Sequence, residues 1–410
     1  MQLKLPIATL LACVSLIILQ GCARVAIQER ASAQGKVPNA IRILGADQRF
    51  SQVSSQSVAR RLRAQRAGQS VNILALSGGG ADGAFGAGAL VGLTHSASRP
   101  QFSVVTGVSA GALIAPYAFL GPDWDDQLAE IYTSGRAEHL LQSRGLGALF
   151  GSSVYSGSPL KDLVDKYATD TLIQAVAHEA ATGRLLLVAT TDVESGEPVM
   201  WDLGSIAMNG GAEARALFRD VLVASASVPG LFPPVVIRVQ EQEVLLEEVH
   251  VDGTTTVPFF VPLAFVEPAR DAIDPSAAAT VYVIVDGRLS EQPVAIRLRT
   301  KSILSRSVSA GLNHMLRTTL ELTASNVEHQ GAKLRYAAIP VAYPQLDPFD
   351  FRTSTMRSLF HYGYECAQAG RLWTSARDVG SRDADRAGAA QSQHPPCPVD
   401  DDSIGRFAVR

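Results

Sequence analysis

The stretch FSVVTGVSAGALIAPYAFL, residues 102–120, decides the fold. It starts with β-branched and aromatic residues that indicate a buried strand, and it ends with an apolar, small-residue run that indicates a helix. Between the two, Gly107, Ser109 and Gly111 form a GxSxG pattern. A strand that turns sharply into a helix exposes the serine hydroxyl, and the flanking glycines let strand and helix approach each other. The stretch therefore predicts an α/β domain with a nucleophilic serine at a strand end.

The chain from residue 71 to 378 continues this alternation of short apolar runs and helical patterns, and we expect it to form one domain. Such alternation predicts an α/β fold with a largely parallel central sheet. The expected strands are residues 72–76, 102–106, 185–190, 244–251 and 280–285, and the expected long helices are residues 309–334 and 354–373.

A glycine-rich motif, LSGGGADG at residues 76–83, also follows an apolar run and precedes a helical pattern. Consecutive glycines leave backbone amides uncovered at a helix N-terminus, where they can stabilise an oxyanion. A nucleotide-binding loop is the alternative, but the motif lacks the lysine of a phosphate-binding loop and a convincingly placed acidic partner. The expected oxyanion-hole residues are Gly78, Gly79, Gly80, Ala81, Asp82 and Gly83.

A third motif, VHVDGT at residues 249–254, places Asp252 and Gly253 after a strand-like run. Asp252 is the expected base that activates Ser109. His250 would lie on the same side of the strand as Asp252, because residues two apart on a strand share a face. A Ser-His-Asp triad is therefore the alternative, with His250 or one of four histidines that lack a surrounding motif: His314, His329, His361 and His394.

The order of these motifs resembles that of the patatin-like phospholipases, in which a glycine-rich oxyanion loop precedes GxSxG by some 30 residues and Asp-Gly lies far downstream. Here Gly78 and Ser109 are 31 residues apart (109 minus 78), and ASASVPGLFPP at residues 224–234 resembles the family's helix-to-loop segment. The resemblance covers residues 71–287. It implies a three-layer α/β sandwich with a mainly parallel central sheet, a Ser109–Asp252 dyad, and hydrolysis of lipid acyl esters, of the phospholipase A or lysophospholipase kind, through an acyl-enzyme. No cofactor is implied, and no metal-ligand spacing is visible.

Two positions depart from the family pattern. Asp82 stands where the family usually has a basic residue, and we expect it to point away from the oxyanion and cap a helix. Thr254 follows Asp252-Gly253 where the family often has a second small residue. Two other functions stay open: an α/β-hydrolase esterase with a triad, and a catalytically silent lipid-binding lipoprotein, which only Asp82 favours.

The N-terminus resembles a bacterial lipoprotein leader. Lys4 precedes an apolar run at residues 5–19, which is shorter than the ~20 residues of a membrane-spanning helix. LQGC at residues 19–22 resembles a lipobox, so we expect a signal peptide at 1–21, lipidation of Cys22 and a tether at 22–70. The expected protein is exported and membrane-anchored. In a Gram-negative source we expect the outer membrane, because Ala23 follows Cys22 where an inner-membrane retention signal often has Asp. An uncleaved signal anchor is the alternative.

Composition excludes one class of partner and describes the C-terminus. A net charge of -3 with 18% charged residues offers no basic block for a nucleic acid, so the expected partner is membrane lipid. Residues 379–410 contain little to bury and are expected to form a loose tail. Cys366 and Cys397 could pair in an oxidising compartment.

Overall fold

The computed structural model describes residues 42–44, 61, 71–141, 152–241, 244–262, 279–290, 298–344, 347–375 and 397. The predicted signal peptide, Cys22, nearly all of the tether and the tail apart from Cys397 lie outside the described residues. Within the described residues, no helix is both long enough and apolar enough to cross a membrane.

The described residues contribute ten strands to one sheet. In chain order they are β1 (Arg42–Leu44), β2 (Asn72–Leu76), β3 (Val104–Val108), β4 (Leu185–Asp192), β5 (Pro198–Asp202), β6 (Val235–Glu241), β7 (Val244–Asp252), β8 (Thr280–Val285), β9 (Lys333–Ala338) and β10 (Thr374–Ser375). Their spatial order is β1-β5-β4-β3-β2-β8-β9-β10, and β7 pairs with both β4 and β6.

The centre of the sheet is parallel, as the sequence predicted. Strands β4, β3, β2, β8 and β9 all run in one direction, with Leu74 opposite Val105 and Val105 opposite Leu186. The antiparallel pairs lie at its margins. Central parallel strands are covered on both faces, which is why their sequences are almost continuously apolar. Because the strands are parallel, their carboxyl ends share one edge, called the C-terminal edge below.

Helices cover both faces and complete three layers. In chain order they are α1 (Gly83–His95), α2 (Ala110–Leu120), α3 (Asp125–Thr133), α4 (Ser158–Tyr167), α5 (Asp170–Ala181), α6 (Leu203–Asn209), α7 (Gly211–Ser225), α8 (Thr300–His329) and α9 (Thr353–Gln368). Leu74 and Leu76 of β2 face a core formed with most of the helices. Ile73 and Ala75, which alternate with them, face a second core that contains the buried residues of α8.

Several predicted boundaries were wrong. The strand expected at residues 102–106 is Val104–Val108, because it continues directly into the serine turn. The helix expected at residues 309–334 begins at Thr300 and ends at His329, and Lys333–Ala338 is a strand. The first four residues of that strand are alternately exposed and buried, the period-two pattern of a half-covered strand.

A disulfide joins Cys366 on α9 to Cys397, with 5.3 Å between the Cα atoms. The bond fixes one point of the C-terminal tail to a helix that packs against α1. Pairing, which the sequence left open, is therefore present in the structure.

Candidate active site

Ser109 lies in the turn between β3 and α2 with φ 54° and ψ -122°. A residue with a side chain rarely adopts a positive φ, and such strain costs ~1–3 kcal/mol unless neighbours hold the conformation. Here the Ser109 N–H donates to Ser225 Oγ at 3.0 Å, and the Ser225 hydroxyl donates to the Ala189 carbonyl at 2.7 Å. The end of α7 thus ties the serine turn to β4.

The two glycines of GxSxG are required by close backbone approach. A Cβ at Gly107 would lie 2.5 Å from the Gly111 carbonyl oxygen, and one at Gly111 would lie 2.5 Å from the Leu76 carbonyl oxygen. Both distances are far below ordinary van der Waals contact. The strand and helix that flank Ser109 therefore pack as the motif predicted.

Asp252 ends β7 and lies directly beside Ser109. Ser109 Oγ donates to Asp252 Oδ2 at 2.6 Å, and the Thr254 N–H donates to Asp252 Oδ1 at 2.7 Å. Burial raises the pKa of Asp252 to about 6, against the lowering effect of the hydrogen bonds from Ser109 and Thr254. The carboxylate is therefore mostly ionised at neutral pH and can accept a proton. Gly253 allows this approach, since a Cβ there would lie 2.5 Å from the Ala189 carbonyl oxygen.

The glycine-rich loop adjoins Ser109, because a Cβ at Gly78 would lie 3.1 Å from Ser109 Cβ. Of the predicted oxyanion donors, four amides already have acceptors: Gly78 donates to Pro258, Ala81 to Pro348, Asp82 to Gly79, and Gly83 to Gly80. Within the described residues, the amides of Gly79 and Gly80 have no acceptor. These two amides are the members of the predicted set that remain open to a ligand.

A further open donor is the amide of Ala110, which has no acceptor in the described part of the chain. It follows the serine and begins α2, so it lies at the positive end of that helix. Sequence reasoning missed this residue, although the amide after a nucleophile in such a turn commonly contributes to an oxyanion hole.

Residues 74–263 match the family model for patatin-like phospholipases, and this span contains the glycine loop, the serine turn and Asp252. The matched segment is a patatin-like phospholipase domain. Among solved structures, VipD from Legionella pneumophila is similar to this chain with a TM-score of 0.37 and 11% identity, covering 73% of this chain and 67% of VipD. A comparison with curated proteins found no match.

Asp82, the departure from the patatin-like pattern, does not cap a helix as expected. It precedes α1, but its side chain accepts no capping hydrogen bond. Asp286, which directly follows β8, caps α1 instead. Its Oδ1 accepts a hydrogen bond from the Gly86 N–H at 2.9 Å. Burial raises the pKa of Asp82 to about 7, while the Arg288 guanidinium lowers it and Asp347 raises it further.

His250 of the patatin-like domain is fully buried but faces other partners. Its Nδ1 lies 3.0 Å from Thr190 Oγ1, its Nε2 lies 3.2 Å from a Glu248 carboxylate oxygen, and its ring packs against Trp201. Neither nitrogen is therefore directed at Ser109 or Asp252. Among the described residues, no histidine hydrogen-bonds to either of them. His394 lies outside the described residues.

The described residues contain no cluster of three metal-ligating side chains. The groups that the structure brings together at this site are a serine hydroxyl, a carboxylate and backbone amides.

Proposed function

We propose that this protein hydrolyses lipid acyl esters, as a phospholipase A or lysophospholipase, with Ser109 as nucleophile and Asp252 as its base. The observation that carries the proposal is the 2.6 Å hydrogen bond from Ser109 Oγ to Asp252 Oδ2 inside a patatin-like domain. A carboxylate in this position can take the serine proton directly, without a histidine between them.

In the proposed mechanism, Ser109 Oγ attacks the ester carbonyl carbon while its proton moves to Asp252 Oδ2. The negative charge that forms on the carbonyl oxygen is stabilised by the amides of Gly79, Gly80 and Ala110. Asp252 then gives its proton to the leaving alcohol, and an acyl-serine remains. In the second half, Asp252 takes a proton from the water that attacks the acyl-serine, and it returns this proton to Ser109 Oγ as the ester bond to serine breaks and the fatty acid leaves.

The N-terminal sequence supports a proposed location. A lipidated Cys22 would hold the catalytic domain at a membrane surface, since each buried CH2 group contributes ~0.8 kcal/mol. We therefore propose an exported lipoprotein, facing membrane lipid as substrate and anchored in the outer membrane if the source is Gram-negative.

Incubation with phospholipid vesicles tests this function. Mass spectrometry should detect free fatty acid and lysophospholipid with the wild-type protein and neither with Ser109→Ala of unchanged melting temperature. Release from soluble short esters but not from vesicles or lysophospholipids would favour the soluble esterase. Absence of release from every ester by the folded protein would favour the silent lipid-binding lipoprotein.

A further inference from the structure

Helix α8 is much longer than the sheet that it covers. Its 30 residues span about 45 Å, whereas the six residues of β9 span about 20 Å. The helix connects β8 to the parallel strand β9, so it starts at the C-terminal edge of the sheet and returns to the opposite edge. Ser109, the glycine loop and Asp286 all follow strands at this C-terminal edge.

The point at which α8 passes the sheet edge can be located. A Cβ at Gly287, two residues after β8 ends, would lie 3.7 Å from Leu316 Cδ1. Leu316 is also the first buried residue among the described side chains of the helix. Residues 300–315 therefore precede this contact on the side of the sheet edge that carries Ser109, and they span about 24 Å along the helix. We call residues 300–315 the projecting segment.

The projecting segment carries apolar side chains into solvent. Val308 is 55% exposed and Leu312 is 37% exposed, and Met315 continues the same side of the helix at the i, i+4, i+7 spacing. Leu298, two residues before the helix begins, is 88% exposed. An exposed apolar stripe on a surface helix marks a contact with a partner or a membrane.

The charge of residues 298–320 indicates which kind of partner the projecting segment binds. Residues 298–320 contain four basic residues, Arg299, Lys301, Arg306 and Arg317, and no acidic residue, whereas the whole chain has a net charge of -3. A helix that combines exposed apolar side chains with basic ones binds at the surface of anionic membranes.

We propose that the projecting segment docks onto an anionic phospholipid surface and so brings the Ser109 edge of the domain to the lipid. The proposal rests on the proposed function in assigning the substrate to that surface. The apolar stripe enters the boundary between headgroups and acyl chains, and the net positive charge of residues 298–320 attracts the anionic headgroups. This contact adds to any anchoring through Cys22 because it orients the active site toward the membrane.

Hydrogen exchange on the full chain carrying Ser109→Ala tests docking without hydrolysis. Vesicles of phosphatidylglycerol should slow amide exchange in residues 300–315, vesicles of phosphatidylcholine should have much less effect, and added salt should reverse the protection. Peptides from residues 316–329 serve as the internal control, because this half of α8 already packs on the sheet. Unchanged exchange in residues 300–315 with phosphatidylglycerol overturns the proposal.

Kinetics with the active protein test the consequence for turnover. Val308→Ser combined with Leu312→Ser should lower kcat/KM on phosphatidylglycerol vesicles by about tenfold or more, because two apolar side chains no longer enter the lipid. The loss should appear in KM, and hydrolysis of a soluble short ester should stay unchanged. Wild-type kcat/KM on vesicles for this variant contradicts docking.

Two single variants provide matched controls. Met208→Ser removes a side chain of similar exposure, 42%, near the start of α7, about 20 Å from Ser225 at its other end. Leu322→Ser removes a 61% exposed residue from the same side of α8, about 15 Å farther from its projecting end than Leu312. Both variants should hydrolyse vesicles at the wild-type rate.

The outcomes separate this proposal from its alternatives and from the proposed function. A defect in Leu322→Ser equal to that of the double variant, with self-association in sedimentation, would instead identify the stripe as an interface between copies of this chain. Protection of residues 300–315 without any ester hydrolysis by the wild type contradicts the proposed function alone. Hydrolysis of vesicles without protection contradicts docking alone.

Discussion

Ser109 combines a strained backbone with a direct carboxylate partner, and neighbours from three parts of the chain hold it in place. Ser225 Oγ accepts a hydrogen bond from its amide, Asp252 accepts a hydrogen bond from its hydroxyl, and Gly78 lies close to its Cβ. The sequence predicted Ser109, Asp252 and Gly78 because each belongs to a recognisable motif. Ser225 could not be predicted, because a serine that accepts from an amide 116 residues away leaves no local pattern.

Asp82 yields a prediction about the pH dependence of ester hydrolysis. With pKa values of about 6 for Asp252 and about 7 for Asp82, the rate should rise with pH as Asp252 ionises and stop rising as Asp82, in the glycine-rich loop, gains its negative charge. Asp82→Asn should remove the effect at higher pH, keep the rise near pH 6, and change kcat on a short ester by less than about tenfold.

The measurement is a profile of kcat against pH on a soluble ester for both proteins. A loss of several orders of magnitude in folded Asp82→Asn would show that Asp82 takes part in the chemistry. Disappearance of the rise near pH 6 in this variant would show that the rise does not belong to Asp252.

At the scale of elements, the glycine loop depends on contact with the end of β8. A Cβ at Gly79 would lie 1.8 Å from the Asp286 carbonyl oxygen, so Gly79→Ala must displace the loop and its open amides. Loss of an oxyanion donor lowers kcat by about 100- to 1,000-fold. We expect a loss of this size for Gly79→Ala on a soluble ester, with KM nearly unchanged.

Gly311→Ala is the matched control for this substitution, because a Cβ at Gly311 on α8 meets no atom within 4 Å. It should keep the wild-type kcat on the soluble ester. Rates are compared only among variants with cooperative melting near the wild-type temperature. Wild-type kcat in Gly79→Ala would show that the loop amides do not stabilise the transition state.

Sequence patterns predicted the central strands better than the marginal ones. Residues 72–76 and 280–285 were predicted with the observed bounds, because a strand buried on both faces is an uninterrupted apolar run. Strand β9 was not predicted, and its first two residues were assigned to the preceding helix, since only residues 330–332 separate them and Lys333 and Arg335 interrupt the apolar pattern. Gly331, with φ 65°, is the local stop signal that could have separated the two.

Across the whole molecule, the sequence predicted the three-layer α/β architecture and the order of its motifs. It could not predict that the basic stretch of α8 lies at the same edge as Ser109. The charge of residues 298–320 can be read from the sequence, but its position follows from the parallel pairing of β8 with β9. The pairing of Cys366 with Cys397 likewise depended on the three-dimensional path of the chain.

Labelling with a fluorophosphonate, followed by peptide mass spectrometry, tests the central claim that Asp252 activates Ser109 without a histidine. The account predicts one label per chain, on Ser109, in the wild type and in folded His250→Asn at comparable rates. It predicts labelling slower by several orders of magnitude in Asp252→Asn and none at this position in Ser109→Ala. A folded His250→Asn, or any other folded histidine variant, as unreactive as Ser109→Ala would contradict the dyad and assign the protein a Ser-His-Asp triad.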